Sequence, residues 1–149
     1  MFIQLALGSA IILVTILIGG LGVWALETRL LVGHAWLVRP PHRIKMMAVL
    51  SGAALAVILL FTLGVWVWAL TFHLLGIFDG FEVSLYFALV TYTTLGFGDV
   101  LLPVEWRLLA GLASANGLLS MGIYTAILVE VVRQVRILQA EAMRNPPRP

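Results

Sequence analysis

The 149-residue chain contains no cysteine and has few charged side chains. Without cysteine, disulfide bonds, thiolate metal sites and cysteine nucleophiles are excluded. Asp, Glu, Lys and Arg together make up 11% of the residues, whereas hydrophobic residues make up 62%. Because a soluble domain carries roughly a quarter charged residues, this chain has too few charges to cover a surface that faces water. We therefore expect an integral membrane protein.

Other signals are also missing, and each absence removes a class of function. Basic residues do not cluster with aromatic ones, so nucleic-acid binding is not expected. The acidic residues have no nucleophile or general base pattern beside them, which argues against an enzyme. The three histidines lack the spacing of metal ligands, and we expect no cofactor. The sequence identifies no soluble protein partner.

Three long apolar runs without charge occupy residues 2–26, 46–77 and 108–129. Each exceeds the roughly 20 residues that cross a bilayer core, and backbone in lipid must be helical to satisfy its polar groups. Segment 81–92 is aromatic and amphipathic but too short to span. The sequence predicts an all-α membrane protein with three transmembrane helices, a short re-entrant pore helix and a loop.

The basic residues predict the orientation of these helices. With three crossings, eight of the nine fall on one side, which the positive-inside rule makes cytoplasmic. The N-terminus and the segment 78–107 then face outward, and the C-terminus is cytoplasmic. The eight residues are Arg29, Arg39, Arg43, Lys45, Arg133, Arg136, Arg144 and Arg148.

The segment that carries chemistry follows the short helix and places one aromatic residue between two glycines. An ion entering a membrane must exchange its water for other oxygens, and backbone carbonyls supply these without fixed charge. Successive carbonyls point the same way if the chain takes positive φ at alternate positions, which Gly96 and Gly98 tolerate. The Thr94 hydroxyl would add inner oxygens. The glycine pair alone fits a simple turn equally well, but its context favours an ion filter.

Residues 93–99, Thr-Thr-Leu-Gly-Phe-Gly-Asp, resemble the potassium-channel signature TTVGYGD, with Phe97 in the place of tyrosine. Pro103 and Arg107 follow roughly as in small two-helix prokaryotic channels, and Gly117 falls at the hinge glycine of the inner helix. The resemblance covers about residues 46–136. It implies a tetrameric pore in a prokaryotic plasma membrane, with an extra helix at the N-terminus.

The resemblance also implies roles for individual residues. Backbone carbonyls would bind K⁺ at Thr94, Leu95, Gly96 and Phe97. The filter would be supported by Thr93, Gly98, Asp99, Tyr86, Phe87, Val90 and Tyr92. Val90 stands where many members carry glutamate, so other contacts must stabilise the filter, and Tyr92 is the candidate. The inner-helix hinge and gate would comprise Gly117, Gly122, Thr125, Val129 and Arg133.

Two positions in the third apolar run, Gly117 and Asn116, each have two interpretations. Gly117 fits close packing as well as a hinge, because small residues let membrane helices approach. Asn116 fits a water-filled cavity or a hydrogen bond between helices. Glu130 is expected to pair with Arg133 of a neighbouring chain.

The resulting organisation is a transmembrane helix (1–32), a basic cytoplasmic loop (33–45), a pore domain (46–136) and a cytoplasmic tail (137–149). Within the pore domain we expect an outer helix (46–77), a pore helix (about 81–93), a filter (94–99) and an inner helix (106–136). The first helix should pack peripherally against the outer helix.

The function predicted from these features is passive K⁺ conduction by a homotetramer. The partners of each chain are three identical subunits, the lipid bilayer and K⁺ ions. The alternatives are a weakly selective cation channel and a non-conducting membrane subunit of a larger assembly.

Overall fold

The computed structural model describes residues 1–33 and 42–144, and within them it contains helices and no strands. The helices are α1 (Phe2–Val32), α2 (His42–Leu74), α3 (Phe81–Tyr92) and α4 (Arg107–Arg144), with a 3₁₀ turn at Val104–Trp106. Three of them are long and apolar enough to cross a membrane. The predicted all-α membrane fold is confirmed. Most of the expected basic loop (33–45) and the end of the expected cytoplasmic tail (137–149) lie outside the described residues.

The end of α2 differs from the apolar run that predicted it, because the helix stops at Leu74 although the run continues to Ile77. Gly76 has a φ of 65°. Its N–H donates to the carbonyl of His73 at 3.0 Å, and the Ile77 N–H donates to Phe72 at 3.2 Å. This left-handed cap satisfies carbonyls that have no partner inside the helix. Hydropathy does not detect it, since the capping residues are as apolar as the helix.

An aromatic cluster fixes α3 against α2. The side chains of Trp68 and Phe72 on α2 are completely buried. The ring of Phe72 meets that of Phe87 on α3 edge to face, with 5.2 Å between centroids. At the other end of α3, the buried ring of Tyr92 lies 5.0 Å from Phe61. Edge-to-face and tilted pairs of this kind are favoured aromatic geometries.

Helix α1 runs parallel to α4 and contacts it along much of its length. Polar side chains make two of the contacts: Gln4 accepts the Leu108 N–H at 3.2 Å, and Asn116 donates to the Thr15 hydroxyl at 2.8 Å. The Gln4 amide also donates to the carbonyl of Glu105. Gln4 thus caps the start of α4, where backbone N–H groups have no partner in the helix.

The expected peripheral packing of α1 against α2 describes only part of its surroundings. Gly22 of α1 touches Leu60 of α2, so this contact exists. Gly8 and Gly19, however, lie against Leu112 and Tyr124 of α4. The polar side chains on α1 need hydrogen-bond partners at membrane depth, and those partners are on α4.

Helix α4 lies very close to the carboxyl end of α3 at Gly117. A Cβ atom added to Gly117 would collide with the backbone carbonyl of Tyr92. Any side chain at position 117 would therefore push α4 away from α3. Of the two interpretations of Gly117, close packing is the one that the contact itself requires.

We predict that Gly117→Ala lowers the stability of the folded protein, because neither backbone can move without repacking. Overpacking of this kind costs about 1–3 kcal/mol. The control is Gly20→Ala, since Gly20 is exposed on α1 and has open space at its Cβ position. Thermal unfolding of the purified protein in detergent measures the difference. A melting temperature of Gly117→Ala equal to or above that of Gly20→Ala would contradict the packing role.

Candidate functional site

The candidate site is the loop that leaves the carboxyl end of α3. Helix α3 has 12 residues and is therefore about 18 Å long, so it reaches about halfway across a membrane. Gly80 precedes its first turn, which contains Glu82. An acidic residue in the first turn of a helix is favoured by the helix dipole, whose negative end is at the last turn. The carboxyl end of α3 thus carries partial negative charge where the loop begins.

Three successive loop amides fold back onto this helix end. The Thr94 N–H donates to the carbonyl of Thr91 at 2.9 Å. The N–H groups of Leu95 and Gly96 both donate to the carbonyl of Val90, at 3.0 and 3.2 Å. In a trans peptide the carbonyl of the preceding residue points opposite to the N–H. The carbonyls of residues 93, 94 and 95 therefore all point away from α3, to one side of the loop.

Backbone φ angles alternate along the same segment. Gly96 and Gly98 have φ values of 56° and 78°, the positive values expected from their spacing. Thr94 has a φ of 61°, which the sequence did not indicate. A left-handed conformation costs a residue with a Cβ roughly 1–2 kcal/mol. The hydrogen bond from the Thr94 N–H to α3 contributes to holding it there.

A hydrogen bond from α3 secures the carboxyl end of the loop. The Tyr86 hydroxyl donates to Oδ2 of Asp99 at 2.5 Å. This bond holds the pKa of Asp99 below its usual range, and backbone N–H groups at residues 99 and 100 act in the same direction. Val90, which stands where a glutamate could bond behind the loop, supports it through its backbone carbonyl instead.

The side chain of Tyr92, which was expected to support the filter, bonds to the neighbouring helices. Its hydroxyl donates to Oγ of Ser120 on α4 at 2.8 Å and lies over Gly64 of α2. A buried tyrosine hydroxyl needs such a partner, and Ser120 is the one within reach. Tyr92 therefore anchors the end of α3 to its neighbouring helices.

The loop itself is poorly covered within one chain. Residues 94–99 are all exposed, including the large side chains of Leu95 (57%) and Phe97 (66%). A cavity of about 330 Å³ separates Thr94, Gly96 and Gly98 from the first turns of α4. The ring of Phe97 therefore has little to pack against in a single chain.

The other predicted residues of α4 lie apart from the loop. Asn116 is 1% exposed and bonds to Thr15 of α1, so the interhelical alternative describes it and the cavity alternative does not. The remaining hinge and gate candidates lie along the exposed side of α4: Gly122, Thr125, Val129 and Arg133.

The ion pair expected between neighbouring chains forms inside one chain. Arg133 donates two hydrogen bonds to Glu130, at 2.8 and 2.7 Å. Three residues apart on a helix, the two side chains share a face and need no partner chain.

Sequence reasoning missed two serines that position the site. Ser114 donates to the carbonyl of Thr91 at 2.9 Å, and Ser120 accepts from Tyr92. They lie three residues before and three after Gly117, so they bracket the close approach to α3. The sequence feature that could have identified them is a small hydroxyl side chain at membrane depth, because such side chains often form hydrogen bonds between helices.

Comparison with known proteins gives one match. The sequence model of the family described as "Ion channel" matches residues 55–134, which is more than half of the chain. The match contains most of α2, all of α3, the loop and the greater part of α4, and it leaves out α1. No curated protein and no solved structure matches the chain.

We predict that Tyr86→Phe raises the pKa of Asp99 toward its ordinary value, because the hydroxyl that stabilises the carboxylate is removed. A carboxyl group with a lowered folded-state pKa stabilises the fold above its unfolded pKa, and this contribution disappears as pH falls through the folded pKa. In Tyr86→Phe, the stabilisation of the fold by the Asp99 carboxylate should therefore disappear at a less acidic pH than in the wild type.

The measurement is an NMR titration of the Asp99 carboxyl carbon in labelled protein. Tyr124→Phe is the matched control, because its hydroxyl lies near Gly19 of α1 and interacts with Ser120 instead of Asp99. Equal Asp99 titration midpoints in Tyr86→Phe and in the control would contradict the prediction.

Proposed function

The chain belongs to a family of two-helix, potassium-channel-like ion channels, and from this premise we propose that four copies form a K⁺-selective pore. The protein is an integral membrane ion channel subunit and not an enzyme. The proposal adds the ion, the number of subunits, the residues of the filter and the orientation in the membrane.

The observation that carries the proposal is the common direction of the loop carbonyls. The amides of Thr94, Leu95 and Gly96 are engaged by the end of α3, which leaves the carbonyls of residues 93–95 free on the opposite side. Carbonyl rings are the means by which K⁺ channels replace the water around the ion. Two of these carbonyls, those of Thr94 and Leu95, belong to the proposed K⁺ ligands, and the resemblance of the motif adds the carbonyls of Gly96 and Phe97.

A single loop supplies oxygens from one direction, so several loops must surround the ion. Irregular backbone at membrane depth is tolerated where it is buried in protein or lines a water-filled path. Within one chain, residues 94–99 are exposed and satisfy neither condition. Four identical loops around one axis satisfy both, as in the K⁺ filters that the motif resembles.

Apolar side chains left exposed by one chain support the same assembly. Leu95 and Phe97 on the loop and Leu118 and Val129 on α4 are each more than half exposed. The face of α4 opposite α1 is available to line the pore or to meet a neighbouring chain. We propose that Gly122, Thr125 and Val129 face the inner part of the pore.

Charge along the proposed pathway favours cations. The carboxyl end of α3 directs its partial negative charge toward the start of the loop. Asp79, Glu82 and Asp99 lie on the side that we propose to be external, where they would attract cations. At the cytoplasmic end, Glu130 pairs with Arg133 and offsets a positive charge that would oppose cation exit.

Potassium flux into liposomes tests the proposal. We expect the wild type to conduct K⁺ and the flux of Gly96→Ala to be more than about tenfold lower. The reason is that φ at position 96 is 56°, and a Cβ there costs roughly 1–2 kcal/mol in each of four loops. Gly20→Ala, on the exposed side of α1, should conduct as the wild type does.

Two further measurements separate the alternatives. A reversal potential close to the K⁺ equilibrium potential in a K⁺/Na⁺ gradient supports selectivity, whereas a value near zero indicates a weakly selective cation channel. Native mass spectrometry should give a mass of four chains. A folded tetramer without flux would indicate a non-conducting subunit.

A further inference from the structure

A second site lies between α1 and α2, away from the loop. The two helices touch where Gly22 meets Leu60: a Cβ on Gly22 would lie 2.6 Å from Leu60 Cδ2. Beyond this contact the facing sides of the helices separate around a partly open cavity of about 550 Å³. Small and apolar residues form most of its wall, among them Ala25, Leu26, Gly52, Ala53, Ala56 and Leu59.

A positive charge lies among the residues that line the cavity. Arg29 is part of the lining and lies three residues before the end of α1 at Val32. Glu130 and Arg133 form an ion pair with each other, and no ion pair is shown for Arg29 within residues 1–33 and 42–144. Arg29 therefore has no carboxylate partner in this part of the chain. An arginine at the end of a spanning helix extends to the level of the lipid headgroups.

Hydrocarbon is the medium that reaches an apolar cavity at membrane depth. An empty apolar space forfeits the dispersion contacts of its walls, and a lipid acyl chain restores them. A guanidinium group at the headgroup level presents a planar fork of N–H donors that matches a phosphate. Basic pockets between transmembrane helices are sites for acidic lipid headgroups.

We propose that the space between α1 and α2 binds one anionic phospholipid, with an acyl chain in the apolar cavity and its phosphate on Arg29. This site uses α1, which lies outside the region that matches the channel family. The proposal does not depend on the filter or on K⁺ selectivity. In this proposal, α1 contributes directly to the lipid specificity of the protein.

Native mass spectrometry of the full-length protein tests the site by counting retained lipids. Delipidated protein in detergent is incubated with phosphatidylglycerol or with phosphatidylcholine of the same acyl chains. We expect one phosphatidylglycerol per chain to survive gas-phase activation and phosphatidylcholine to be lost more readily. Equal retention of the two lipids would overturn the preference for an anionic headgroup.

Two pairs of variants separate the site from general effects. Arg29→Ala should lower phosphatidylglycerol retention by about tenfold, as expected from losing hydrogen bonds to a charged group. Arg43→Ala is its control: Arg43 is exposed at the start of α2 and does not line the cavity. An equal loss in both variants would mean general attraction by basic residues and would overturn the assignment to Arg29.

The second pair compares a variant that fills the cavity with a control variant that does not. Gly52 lines the cavity and has open space at its Cβ position, so Gly52→Leu can occupy the proposed acyl-chain position. Gly20 also has open space but lies away from the cavity, and Gly20→Leu is the control. Retention should fall in Gly52→Leu alone. Unchanged retention in a folded Gly52→Leu protein, checked by circular dichroism, would overturn the proposal.

Discussion

The close approach of α4 to the carboxyl end of α3 is the contact on which the rest of the structure depends. Gly117 leaves room for the Tyr92 carbonyl, and the serines on either side of it bond to Thr91 and Tyr92. The helix end is thereby fixed in three dimensions just before the chain becomes irregular. Since the first loop amides bond to the same helix end, the position of α3 determines the position of the carbonyls.

The helices were predictable because their signal is local. A long uncharged run in a chain with few charges can only be a spanning helix, and the intervening aromatic segment was too short to be another. Glycines at 96 and 98 also indicated where φ would be positive. The positive φ of Thr94 was not predictable in the same way, because threonine rarely adopts it. It accompanies a backbone hydrogen bond from Thr94 to Thr91, which cannot be predicted from the residue type.

The partners of the polar side chains could not be read from the sequence. Asn116 had two equivalent interpretations, because which face of α4 meets α1 depends on how the helices rotate about their axes. Tyr92 was assigned to the loop, whereas its hydroxyl reaches Ser120 on α4. Residue type tells us that such groups need a hydrogen bond, but only the packed helices determine which neighbour provides it. The end of α2 before Gly76 also could not be predicted from hydropathy, because backbone geometry determines where this helix stops.

The parallel pairing of α1 with α4 determines how much of α4 meets the membrane. Gln4, Thr15 and Gly19 hold α1 over one side of α4 from its first turn to Tyr124. That side of α4 is therefore screened from the hydrocarbon by a helix of the same chain. A hydrophobic compound dissolved in the bilayer would have to displace α1 before reaching that side, whereas a compound arriving through water at the exposed side of α4, which carries Gly122, Thr125 and Val129, would not meet α1.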